Sequence, residues 1–158
     1  MSGSLLTGPT RRGYNFAGFL TPDGAVIHYC TSSDHYRADA AVKEGDAVYF
    51  VPPTSANPLS VTPTAAATGL SRRFAGVALN AAAAGAMVGI VPVGGIAVVR
   101  VTSATTLGHA LNTSATPGAL TTVGAVTIAA GDTVALALTA DVTIGAQRWV
   151  IARLIENY

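Results

Sequence analysis

Ionised side chains are scarce in this 158-residue chain: Asp, Glu, Lys and Arg together make up 11% of it, against about 25% in an ordinary soluble domain. Lys43 is the single lysine and Cys30 the single cysteine. One cysteine excludes an internal disulfide framework, and no redox compartment follows from it. A formal net charge of +1 supplies no basic footprint for a nucleic acid, so no nucleic-acid partner is expected. A chain with positive mean hydropathy and so little charge is expected to cover much of its surface against other subunits, because obligate interfaces resemble a core cut in half. A compositional preference for Ala and Gly would dilute charge in the same way. The cations are nearly all arginine, which suits forked, partly desolvated contacts between proteins.

No charged residue lies between Arg73 and Arg100. That stretch is long enough to cross a bilayer as one helix, but Pro92, Gly76, Gly85, Gly89 and the pair Gly94-Gly95 would break such a helix repeatedly. Segments Phe74–Leu79, Met87–Val91 and Ile96–Val101 are rich in Val and Ile and separated by Ala-Gly and Gly-Gly turns, which predicts strands. No membrane partner is expected, and residues 1–13 lack the apolar core of a signal peptide.

The same stretch has an echo near the C-terminus. Gly76-Val77-Ala78-Leu79, a five-residue loop and Gly85-Ala86 correspond to Ala135-Leu136-Ala137-Leu138, a six-residue loop and Gly145-Ala146. Upstream, residues 44–48 have a looser counterpart in 107–111, and 59–62 in 119–122. These matches predict an internal duplication, 41–93 and 104–154, inside a single β domain spanning 21–158.

Residues 1–20 read as an extended N-terminal arm. The first thirteen are small and polar, with Arg11-Arg12, and a terminus of this kind is either disordered or a tether that orders on a partner. In the second case Leu5, Leu6, Arg11, Arg12, Tyr14 and Phe16 are the candidate contacts. Thr21-Pro22-Asp23-Gly24 marks a turn before a strand at Ala25–Cys30. Ser32-Ser33-Asp34 offers helix caps and predicts one short helix over His35–Lys43. Beyond it, short strands alternate with Pro-, Gly- and Asp-containing turns, so the fold class is all-β: a small sandwich or barrel built from two similar halves. The last strand is apolar on both faces, Val150, Ala152 and Leu154 on one, Trp149, Ile151 and Ile155 on the other. Such a strand is covered on both sides, which makes Trp149, Ile151 and Ile155 candidate subunit-interface residues.

Residues able to do chemistry are few. His28, Cys30, Asp34 and His35 are close in sequence, but a zinc site would want a second ligand pair downstream. Only His109 and scattered aspartates follow, so no metal is expected. Gly94-Gly95 precedes neither Lys-Ser/Thr nor a helix, so it is no phosphate loop. Cys30 lacks a defensible base, and no serine sits in a strand-to-helix elbow. Asp23, Asp46 and Asp132 each adjoin a glycine, where aspartate makes turns. Neither catalysis nor a cofactor is expected.

One pattern carries a resemblance. Gly45-Asp46-Ala47-Val48, then a Thr/Pro/Ala loop, Phe74-Ala75-Gly76-Val77-Ala78-Leu79, an Ala-rich loop, Gly85 and a strand leading to a Gly-containing hairpin over 87–99 resemble the capsid decoration, or cement, proteins of tailed bacteriophages. The second half resembles the repeat such proteins carry, with His109 replacing Asp46 and Ala135 replacing Gly76; the likeness covers about 40–155. It implies a β-rich, often trimeric virion protein, made in the bacterial cytoplasm. Such a protein binds major capsid protein on the outer shell surface, where capsid subunits meet, and stabilises the shell without a cofactor. A receptor- or glycan-binding module of a phage fibre or tail is the alternative. That class would want exposed aromatics and carboxylates clustered on loops.

Overall fold

A computed structural model of the chain describes residues 14–20, 26–32, 34–52, 59–63, 73–125 and 133–156, with the backbone alone for 14–20, 26–32 and 125. Every regular element among them is a strand. β1 (Tyr14–Leu20) and β2 (Val26–Ser32) form an antiparallel hairpin. β3 (Asp34–Ala38), β4 (Ala47–Phe50), β5 (Ser60–Thr62), β6 (Phe74–Ala78) and β7 (Met87–Pro92) close into a barrel in the order β3-β5-β4-β6-β7.

A second barrel follows. β8 (Ile96–Val101), β9 (His109–Thr113), β10 (Leu120–Ala125), β11 (Thr133–Ala137) and β13 (Gln147–Leu154) pair in the order β11-β9-β10-β8-β13, and β11 pairs with β13 to close the ring. β12 (Val142–Ile144) adds a short hairpin outside the ring. The architecture is therefore all-β with two similar halves. Both rings have the same plan, with one parallel pair each, β3 with β5 and β8 with β10.

Equivalence extends to single residues. Tyr49 faces Phe74 and Val48 faces Gly76 across a bulge at Ala75; Asn112 faces Thr133 and Leu111 faces Ala135 across a bulge at Val134. The Gly45 N–H donates to Ala78 O at 2.9 Å, and the Gly108 N–H donates to Ala137 O at 2.9 Å. In the closing strands, Gly76 pairs with Pro92 and Ala135 with Leu154. Pro92 thus corresponds to Leu154, and Met87 to Trp149. The sequence match Gly85 to Gly145 slips by two residues here, because the β12 hairpin absorbs extra chain. Likewise Ala38 pairs with Val61 and Val101 with Leu120, which shifts the match of residues 59–62 by one.

Two sequence expectations give way. Residues 35–43 form no helix: β3 pairs with β7 through Asp34 to Arg37, and Val42 bridges Ala82. Cross-strand bonds and burial of Ala38 and Val42 outweigh a local capping signal. Gly94-Gly95 turns no hairpin within a sheet, since β7 ends the first ring and β8 begins the second. The Gly94 N–H instead donates to Leu154 O at 3.0 Å, tying the crossover to β13.

Alternation on each strand sorts the core. Ala38, Val42, Val48, Val61, Ala75, Ala78, Val88 and Ile90 form one buried cluster within the first barrel. Ala47, Tyr49, Phe74, Val77, Leu79 and Val91 belong instead to the cluster that fills the second barrel, with Leu111, Leu120, Val134 and Leu154. The outward face of barrel one and the interior of barrel two thus make one contiguous apolar body. Part of the apolar surface that the low charge leads one to expect is covered within the chain itself.

A shared core predicts shared unfolding. Leu111→Ala, at a fully buried site, should cost about 2–5 kcal/mol and lower the midpoint of one denaturant transition seen alike by far-UV and near-UV circular dichroism. Two separated transitions would show that the barrels unfold independently.

Candidate interface: the seam between the barrels

The polar centre of the seam is a turn of barrel one facing two strands of barrel two. Residues 43–46 form the turn before β4: the Asp46 N–H donates to Lys43 O at 3.1 Å, and Asp46 Oδ2 accepts from the Lys43 N–H at 2.8 Å. Gly45 has φ 78°, a left-handed conformation that glycine adopts without strain. The Trp149 ring lies so close over it that a Cβ would overlap the ring. Beside it Arg100 Nη2 meets Asp46 Oδ1 at 3.2 Å. Arg100 and Trp149 are directly paired across β8 and β13, so one cross-strand pair supplies both contacts.

Backbone bonds complete the seam. The Ala47 N–H donates to Gly118 O at 2.9 Å and the Gly118 N–H to Pro63 O at 2.9 Å. A Cβ on Gly118 would collide with the Asp46 carboxyl group, so glycine is what admits so close an approach. Arg100 also donates to Pro117 O. Asp46 is 5% exposed, and burial raises its pKa above the ordinary value; the Lys43 N–H, then the charges of Arg100 and Lys43, pull the other way without prevailing.

A cleft of about 370 Å³ opens at the end of barrel two beside the seam, walled by Arg100, Arg148, Thr102, Thr116 and Gln147. Arg148 is held by Asp141 at 2.7 Å. Asp141 also accepts from the Thr105 N–H at 2.6 Å. These hydrogen bonds and its ion pair with Arg148 hold its carboxyl below the usual range although desolvation acts in the opposite direction. The cleft offers positive charge and hydrogen bonds, not a nucleophile paired with a base. Among the described residues no three His, Cys, Asp or Glu side chains gather as a metal site, and no helix is long and apolar enough to cross a membrane.

The residues singled out from sequence fall in different places. Leu5, Leu6, Arg11 and Arg12 lie outside the described residues, while Tyr14 and Phe16 are on β1, paired with Ser32 and Cys30. Trp149 and Ile151 lie on β13 and Ile155 follows it, all half-buried. Val150, Ala152 and Leu154 fill the barrel. Trp149 is therefore committed at least in part to an interface within the chain. Arg100 and Gly118 were not singled out in the sequence; the visible signals were an arginine ending an uncharged run and a Pro-Gly turn.

No family model matches the chain, and no curated protein matches it. Among solved structures it is similar to the head fiber gp8.5 N base of bacteriophage phi29. The TM-score is 0.53 at 15% identity, over 80% of this chain and 97% of that one. At that identity the likeness is one of fold.

Gly45→Ala should destabilise the protein by about 2 kcal/mol or more, from backbone strain and ring displacement, and red-shift the emission of Trp149, the only tryptophan. Unchanged emission would contradict the close contact. Because the folded-state pKa of Asp46 lies above its unfolded value, its protonated form favours the folded state. The stability of wild type relative to Asp46→Asn should therefore be greatest below about pH 4 and fall as pH rises through the raised pKa. Paired urea titrations would measure it, and a difference growing with pH would mean that the Arg100 pair outweighs burial.

Proposed function

We propose that this chain is a structural protein of a bacteriophage virion that seats on the outer surface of the head, where major capsid subunits meet, and stabilises the shell there. The observation that carries this reading is the likeness of the two-barrel body to a phage head fibre base, over nearly the whole of that base. The resemblance of the Gly45–Val48 and Phe74–Leu79 motifs to capsid decoration proteins points to the same surface. The likeness to a fibre base also favours a second form of the reading, in which the barrels are the foot of a fibre.

The proposed mechanism is binding without catalysis, cofactor or nucleic acid. Several weak contacts held on one homotrimer raise the effective concentration of each at the shell and slow release. The residues ahead of β1, 1–13, would add reach as an arm, on the order of 40 Å if fully stretched.

The test is sedimentation of the purified chain with expanded heads that lack it. Saturable occupancy is expected, with release slowed at least severalfold relative to a chain lacking residues 1–13. A chain that ignores such heads but binds polysaccharide would instead be a glycan-binding module.

A further inference from the structure

The internal seam joins two dissimilar faces, and each barrel owns a copy of both. One face is the turn carrying Gly45, Asp46 and, across the ring, Leu79. The other is the cross-strand pair Arg100 and Trp149 with the Gly118 turn. The seam uses the first face from barrel one and the second from barrel two. By the strand registers above, barrel two carries an unused first face at Gly108, His109 and Leu138, and barrel one an unused second face at Arg37, Met87 and Leu59.

Both unused faces retain the shape of the used ones. Gly108 has φ 82° and its turn repeats that of Gly45: the His109 N–H donates to Thr106 O at 3.1 Å, and His109 Nδ1 lies 3.4 Å from the Thr106 nitrogen, where Asp46 accepts from Lys43. Where Trp149 stands over Gly45, no described atom lies within 4 Å of a Cβ position on Gly108. Arg37 and Met87 face each other on β3 and β7 as Arg100 and Trp149 do on β8 and β13. Among the described residues, four of the six exposed large apolar side chains lie on these two faces, Leu59 at 78% and Met87 at 59% on one, Leu107 at 70% and Leu138 at 39% on the other, while Val123 and Ile96 lie elsewhere. A leucine at 107, where barrel one has Glu44, makes the empty seat more apolar than the filled one.

We infer that the chain associates head to tail with a second copy of itself, the Met87 face of one copy occupying the Gly108 seat of the next in the manner of the internal seam. Two different patches meet, so the contact is heterologous and yields a ring where the rotation closes and an open chain where it does not. It is weaker than the internal seam. His109 replaces the carboxylate that pairs with Arg100, and the hydrogen-bonded pair Asn112 and Thr133 replaces the aromatic pair Tyr49 and Phe74. Copies therefore separate on dilution and join when concentrated on a surface. The inference shares with the proposed function only that the chain assembles with itself, and it is judged without any capsid.

Sedimentation velocity over a concentration series tests it. The sedimentation coefficient of the full chain should rise with concentration. Met87→Asp and Leu107→Asp, both at exposed positions, should each hold it at the monomer value with unchanged circular dichroism. An equimolar mixture of the two variants should restore a species of two chains, because each retains the face the other has lost. A chain monomeric at every concentration, variants that associate as wild type does, or a mixture that stays monomeric would overturn the inference. Failure to bind phage heads would leave it standing.

Discussion

The Trp149 ring stands directly against the backbone at Gly45, and the apolar faces on either side can close because nothing projects between them. With a Cβ at that glycine the ring would lift, the Asp46 and Arg100 groups would separate, and water would enter a core that both barrels share. Tyr49 and Phe74 would then lie at a surface, although they are placed as interior residues. The seam is thus the constraint on which the tertiary structure depends: it turns two small rings into one body with one continuous interior.

That arrangement accounts for part of the low charge. A single five-stranded ring of this size has little interior, and an outward face like that of Ala47, Tyr49, Phe74 and Val77 needs covering from outside. The second ring supplies the cover. Among the described residues, most of the large apolar side chains that remain exposed lie on the two copies of the seam faces that the seam itself does not use.

Strand existence was readable because Val- and Ile-rich runs bounded by Gly, Pro and Asp leave few alternatives. The kinship of the halves was readable for the turns: residues 44–48 and 107–111 occupy matching places because both turns need a glycine at positive φ. Where no such requirement applies, the structural equivalence departs from the sequence match, by one residue at β5 and β10 and by two at β7 and β13, since interchangeable small apolar residues leave register to the ladder bonds. The helix expected over 35–43 is β3 and a bridge, because caps act locally while β7 offers a longer partner. Trp149 was legible as a residue needing cover, but the identity of that cover was not.

By itself the sequence determined the class of secondary structure, the turns at Gly45, Gly108 and Gly118 and the existence of two related halves, because alternation, β-branching and glycine at positive φ act within a few residues of chain. Only the tertiary structure decided which strands share a ring, that Gly94-Gly95 is a crossover, and that Arg100 and Trp149 answer Asp46 and Gly45. Those outcomes depend on contacts between segments fifty or a hundred residues apart, whose free energy comes from matching surfaces and leaves no local pattern.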